Sequence, residues 1–199
     1  MSQPQSHHWT ALKRLARYLE YKPRLVQEFK NQDKIFEVSA WCDADHAGCL
    51  RTRKSTSGGV LMLGENCVKT YSRGQGVISL SPGESEYYAL VSAISEALGF
   101  NALMKDFGVL LKVGVRMDAT AGIAMGSRRG LGKAKHIDTV FHWVQSYVSE
   151  GKVKLFKRHT SEMLADMLTK PVSEALANKF LKEMNFVFKE GKHELALEV

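Results

Sequence analysis

A chain of 199 residues with 44% hydrophobic content can build the core of one ordinary domain and is far from a disordered composition. Its net charge of +7 favours an anionic partner, no run of about 18 apolar residues offers a membrane span, and the start MSQPQSHHWTALKRL lacks the apolar stretch of a signal peptide. Cys42, Cys49 and Cys67 are odd in number and show no C-x-x-C spacing, which indicates neither a disulfide framework nor a zinc site and suits a reducing, intracellular compartment.

Residues 8–20, HWTALKRLARYLE, set Trp9, Leu12, Leu15, Ala16 and Leu19 at helical spacing with basic residues between them. Pro23 stops this amphipathic helix. FEVSAW alternates as a half-buried strand should, so a first strand is predicted from about 35 to 43. After the basic loop LRTRKSTSG, the runs GGVLMLG and NCVKTYS read as a hairpin turning at Gly64-Glu65-Asn66. Ser81, Pro82 and Glu84 spell an N-cap, a first-turn proline and the acid of a capping box. A long helix to about 107 follows, closed by Gly108.

KVGVRMD is a fourth strand, ATAGIAMGS a short helix, and KHIDTVFHWVQSYVSEG a helix ending at Gly151. KVKLFKR is a fifth strand, SEMLADMLTK a helix ended before Pro171, and residues 173–185 a last helix. The order predicts a mixed α/β sheet in one domain over residues 35–170. Residues 1–34 are expected to be an N-terminal helical connecting segment and 171–199 a C-terminal helical extension.

Four acids stand at comparable places on this frame. Asp43 ends the first strand and Asp118 the fourth; Glu86 and Asp166 lie in second helical turns. Each has an ordinary explanation by itself. Asp43 can belong to a turn, Asp118 can cap the next helix, Glu86 can answer a helix dipole, and Asp166 can be solvated. If the first and fourth strands are neighbours, the four carboxylates meet at one sheet edge. An oxygen-only cluster of that charge asks for hard divalent cations, magnesium first among them. Paired cations held this way serve phosphodiester hydrolysis, and the basic surplus then answers a polyanionic substrate.

The runs WCDADHAG, RKSTSGGV, SLSPGESEYYAL, KHID and LADMLTKP, in this order, resemble the ribonuclease H domain of copia-type LTR retrotransposon Pol polyproteins. The resemblance covers nearly the whole chain, and HHWTALKRLARYL is similar to the helix that joins reverse transcriptase to this domain. It implies a ribonuclease H-like mixed five-stranded sheet flanked by helices, with N- and C-terminal helical extensions. It further implies a nuclease that cuts the RNA strand of an RNA–DNA hybrid using two Mg2+ ions, with Mn2+ an alternative. The implied partner is the reverse transcriptase of the same polyprotein, and the implied place is the cytoplasm within a retrotransposon particle.

Carried over residue by residue, the family's acids fall on Asp43, with Asp45 as its neighbour, on Glu86 and not Glu84, on Asp118 and on Asp166. The family's Asn-Gln after the third acid is here Ala119-Thr120, its D-W-A-G tryptophan is His46, and its K-K-Q-K is Arg73-Gly74-Gln75-Gly76. His159 follows the fifth strand, where ribonucleases H of the general kind carry a mobile histidine that aids proton transfer or product release. It is a candidate for the same role, against a plain loop histidine. His136, Asp138 and His142 lack the further ligands a zinc site needs.

Two basic loops are candidate grips for phosphates and 2′-hydroxyls: Arg51, Arg53 and Lys54 with Ser55 and Thr56, and Arg128, Arg129, Lys133 and Lys135. The alternative for each is a solvated face. Two other functions stay open: a non-catalytic module that binds hybrids or scaffolds a reverse transcriptase, and a DNA-cutting relative of the same fold.

Overall fold

The computed structural model describes residues 4–22, 24–130, 132 and 135–191. Pro23, the predicted helix stop, Lys133 of the second basic loop and the tail 192–199 lie outside the described residues. Helix α1 spans Ser6–Tyr21 and strand β1 Leu25–Gln27. Then come β2 (Glu37–Ala44), β3 (Thr56–Leu63), β4 (Asn66–Gly74), α2 (Pro82–Asp106) and β5 (Lys112–Met117). Helices α3 (Thr120–Ser127) and α4 (Trp143–Ser149), β6 (Val153–Lys157), α5 (Glu174–Glu183) and β7 (Phe186–Phe188) complete the chain.

The main sheet has the order β4-β3-β2-β5-β6. β2, β3 and β4 run antiparallel, whereas β5 lies parallel to β2 and β6 parallel to β5. The first and fourth predicted strands are therefore neighbours, paired through Val38–Val113 to Trp41–Arg116. Their parallel run brings the carboxyl ends of both strands to the same edge of the sheet.

Alternation along β2 divides the two faces of the sheet. Val38, Ala40 and Cys42 point to the main core, where they meet Tyr87, Leu90, Ala93, Ile94 and Ala97 of α2. On the other face Val60 and Met62 of β3 pack with Leu164, Phe180 and Met184, and Trp41 joins them. α5 therefore contributes to the core. Asp43 shares the parity of Trp41, so it leaves the strand on the face that the segment after β6 covers.

Three departures from the sequence reading have physical causes. SEMLADMLTK is not an α-helix but two 3-10 turns, Thr160–Glu162 and Leu164–Leu168. Its apolar residues Met163, Leu164 and Ala165 are consecutive and all buried, a pattern that suits a short segment pressed onto a sheet better than an amphipathic helix. KHIDTVFHWVQSYVSEG likewise opens with a 3-10 turn at Thr139–Phe141, capped by Asp138, before α4 begins. The extensions are not purely helical either. β1 pairs antiparallel with β7, two strands too short to show a period in the sequence. Among the described residues no helix is long and apolar enough to cross a membrane.

Gly58 controls how closely the segment after β6 can approach the sheet. It sits opposite Asp43 in the β2–β3 register. A Cβ there would lie 2.7 Å from Thr169 Cγ2 and 2.9 Å from the backbone oxygen of Ala165. The missing side chain lets the 164–169 segment lie directly on β3, within reach of Asp43.

Candidate active site

Each acid is delivered by a different element. Asp43 comes from the end of β2, Glu86 from the second turn of α2, and Asp118 from the residue after β5. One oxygen from each of these three lies within 4.8 Å of the other two. Among the described residues this is the one cluster of three or more acid, histidine or cysteine groups so placed. Asp166, on the second 3-10 turn, comes to Asp43 on the sheet face opposite to the one that α2 covers. Its carboxyl pairs with Lys170, which also reaches Asp43, and it feels the charges of Asp43 and Asp118.

The electrostatics are those of a site short of positive charge. Burial, then Asp43 and Asp118, push the Glu86 carboxyl up to about 8. Burial and then the neighbouring Asp43 push Asp166 up to about 6, against the bond from Lys170. Burial also raises Asp43, although Thr169 and Lys170 pull the other way. Glu86 Oε2 and Asp166 Oδ1 are buried with no hydrogen-bond partner among the described residues. An unpaired buried carboxylate oxygen costs several kcal/mol in a folded protein unless something neutralises it. Oxygen donors alone, like charges at close range and orphaned acceptors together fit hard divalent cations.

Two residues that carry no role in the sequence reading take part here. The Thr169 hydroxyl donates to Asp43 Oδ2. Lys170 Nζ stands 3.0 Å from Asp166 Oδ2 and 3.8 Å from Asp43 Oδ2. Both belong to the run LADMLTKP, and the four-residue spacing of Asp166 and Lys170 is the signal that would have found the pair.

Asp45 and Asp118 have structural partners. Asp45 Oδ1 accepts from the Thr56 backbone N–H at 2.5 Å and so fixes the β2–β3 loop. Asp118 Oδ2 accepts from the Thr160 hydroxyl at 2.6 Å, and the cap position of α3 falls to Ala119, whose side chain caps nothing. His159, next to Thr160, is exposed, and its Nδ1 accepts from Ser161 N–H to cap its own turn. The Thr120 hydroxyl accepts from Lys157 Nζ at 2.7 Å.

The basic loops differ in how they present their groups. Arg51 and Arg53 are exposed, and Arg53 holds a left-handed backbone with φ of 55°. Lys54 Nζ donates to the Gly76 carbonyl, tying this loop to the one after β4. Ser55 is buried, and its hydroxyl accepts from Ala47 N–H, so it braces the loop from beneath. Thr56 begins β3. In the second loop Arg128 is half-buried at the end of α3, and Arg129 and Lys135 are exposed. In the stretch 73–76, Arg73 pairs with Glu96, and Gln75 is buried between Ser57, Ser79 and the Ser85 carbonyl.

Glu84 stands apart from the acid cluster and is more than a capping-box acid. The Ser81 hydroxyl accepts from Glu84 N–H as expected of the cap, but the carboxylate accepts from Leu80 N–H, Tyr88 OH and His136 Nε2. Burial works against its ionisation, yet these bonds, led by His136, hold it below the usual carboxylate range. His136 of KHID thus serves as a strut and not as a zinc ligand. Glu84→Gln turns one acceptor into a donor facing these donors. A loss of about 1–3 kcal/mol is expected in a denaturant titration, and wild-type stability would show that the three bonds are dispensable.

No protein-family model matches the chain. The retrovirus-related Pol polyprotein from transposon TNT 1-94 of Nicotiana tabacum is 30% identical over 182 residues, covering 90% of this chain and 13% of that polyprotein. The Pol polyprotein from transposon RE2 of Arabidopsis thaliana is 28% identical over 190 residues, covering 94% of this chain and again 13% of the relative. The chain therefore spans 13% of the length of these curated relatives. Among solved structures, an N-terminal RNase H domain from Mycobacterium tuberculosis, fused to maltose-binding protein, matches with a TM-score of 0.52 at 15% identity. That match covers 73% of this chain and 99% of the solved one, and it shows the fold the two share.

Proposed function

Since the chain is a homologue of copia-type retrotransposon Pol polyproteins and has the ribonuclease H fold, we propose that it is a divalent-metal-dependent endonuclease cutting the RNA strand of RNA–DNA hybrids. The observation that carries this reading is the convergence of Asp43, Glu86 and Asp118 within 4.8 Å, with Asp166 beside them and two buried carboxylate oxygens left unpartnered. These four acids would hold two Mg2+ ions, or Mn2+ in their place. Bound there, the ions would activate the attacking water and stabilise the leaving oxygen of the phosphodiester.

The chain's own groups set the geometry. Thr169 orients Asp43, Thr160 orients Asp118, and Gly58 admits the segment that carries Asp166. Arg51, Arg53 and Lys54 stand on the loop that follows the end of β2 at Ala44, a position that supports a grip on the phosphate backbone near the acids. Arg129 and Lys135 extend the basic surface beyond α3 and read shape and charge, not sequence. The hybrid is the product of reverse transcription, so the chain is assigned to work inside the cell beside the reverse transcriptase of its polyprotein.

The test is cleavage of labelled RNA–DNA hybrid, duplex RNA and duplex DNA, each with Mg2+ and with EDTA. Endonucleolytic loss of the RNA strand, confined to the hybrid and to the Mg2+ arm, is expected. Binding of the hybrid without cutting would support the non-catalytic module instead, and cutting of duplex DNA would support the DNA-cutting relative.

A further inference from the structure

We propose that the recess between the main sheet and the end of α5 is a binding site for a phosphate group, with room for a whole nucleotide unit. It lies on the sheet face opposite α2 and encloses about 480 Å3. A volume of that order suits a small ligand and exceeds what a bare anion needs. None of the four acids of the candidate active site lines it. Trp41, Met62 and Leu164 give it apolar surface. Arg116, Arg158 and Lys182 bring positive charge from β5, from the residue after β6 and from the last turn of α5.

That charge is not answered by the acids around it. Glu65 pairs with Lys30 at 2.9 Å and Glu183 with Lys179 at 3.8 Å, so both acids of the rim are engaged. Lys182 has no ion pair among the described residues, and Arg158 reaches Glu162 only at 3.9 Å, beyond hydrogen-bond distance. The Arg116 guanidinium lies over the rings of Trp41 and Phe156, and its Nη2 donates to Glu37 Oε1 at 2.8 Å. Its Nη1 is buried without a hydrogen-bond partner among the described residues. A buried donor left unmet costs about 1–3 kcal/mol, and more when it is charged.

Cations scattered over a convex surface serve solubility. Here they surround a concavity and stand on anchored backbone: Arg158 N–H donates to the Met117 carbonyl at 2.9 Å, and Lys182 belongs to a helix. The planar fork of arginine and the ammonium of lysine together match the several charged oxygens of a phosphate. The apolar surface beside them suits the sugar or base that a bare phosphate lacks.

A nucleoside phosphate can arrive free or as one unit of a strand, and the test separates the two sources. Binding of deoxyadenosine monophosphate and of a short oligodeoxyadenylate to the full chain is measured by calorimetry at one fixed salt concentration. EDTA is present throughout, so the acidic cluster cannot recruit phosphate through a metal. The double variant Arg158→Gln, Lys182→Gln is compared with Arg17→Gln, Lys105→Gln, which removes the same charge from exposed positions on α1 and α2. All four side chains are exposed, so both variants should fold, and a melting curve checks this. The first variant should weaken the mononucleotide at least about tenfold and the second should stay within about threefold of wild type. If the first variant weakens the strand as much as the mononucleotide, the recess takes a unit of a strand. If it weakens the mononucleotide alone, the recess takes the free nucleotide. Either result supports the site. No saturable binding of either probe to the wild type, or equal losses in the two variants, overturns it.

Discussion

Asn at Asp43, Asp118 or Asp166, or Gln at Glu86, is expected to lower hybrid cleavage by at least about a thousandfold while the fold persists. An amide keeps the shape of the side chain but not its charge, and the loss of one charged oxygen ligand from a metal cluster is worth several kcal/mol in the transition state. Each 1.4 kcal/mol or so is a factor of ten in rate. The fold should survive because these carboxylates repel one another in the absence of metal. Burial, then Asp43 and Asp118, drive Glu86 up to about 8, so Glu86→Gln should melt at or above the wild-type temperature in EDTA. Single-turnover cleavage with a melting curve for each variant checks both halves. Full activity in any one variant removes that residue from the site.

The acids were legible in the sequence because they interrupt patterns that are otherwise consistent. Asp43 ends an alternating strand and Asp118 ends another; that the two strands are neighbours was only a condition in the sequence, and the parallel β2–β5 pairing supplies it. The separation of Glu84 from Glu86 was also readable. Proline at the first helical position sets the register of α2, Glu84 falls in the capping box, and Glu86, two residues on, points to a different side of the helix. What surrounds the acids was harder to see. Thr169 and Lys170 matter only because 3-10 turns, not an α-helix, place them over Asp43, and Gly58 is what admits those turns. That contact joins positions more than a hundred residues apart, and no local period records it. Ser55 misled in the opposite sense: a hydroxyl in a basic loop reads as a phosphate contact, yet it is buried under Ala47. The β1–β7 pair was invisible because three-residue strands carry no alternation.

Without metal, stability should fall as pH rises from about 5 to 8, and saturating Mg2+ should remove most of the fall. Glu86 and Asp166 have folded-state values raised to about 8 and about 6, above their ordinary 4.5 and 3.8, with burial as the first cause in both. The folded protein therefore binds their protons more tightly than the unfolded chain does. That advantage is complete below the unfolded values and is lost as pH climbs through the folded ones. Because the site is partly open to solvent, a loss on the order of 2 kcal/mol is expected across this window, less than the shifts alone would give. A divalent ion reverses the trend because it competes with the protons and prefers the ionised carboxylates. At a hundred times its dissociation constant it adds about 2.7 kcal/mol to the folded state, and that addition is largest at pH 8, where no proton has to leave. Denaturant titrations at several pH values in EDTA and in Mg2+ measure both effects. The comparison with Glu86→Gln isolates the site from every other titrating group, since this variant should lose most of the pH dependence in EDTA and much of the rescue. Parallel pH profiles with and without Mg2+ in the wild type would mean that the four carboxylates are neutralised by something other than a divalent ion.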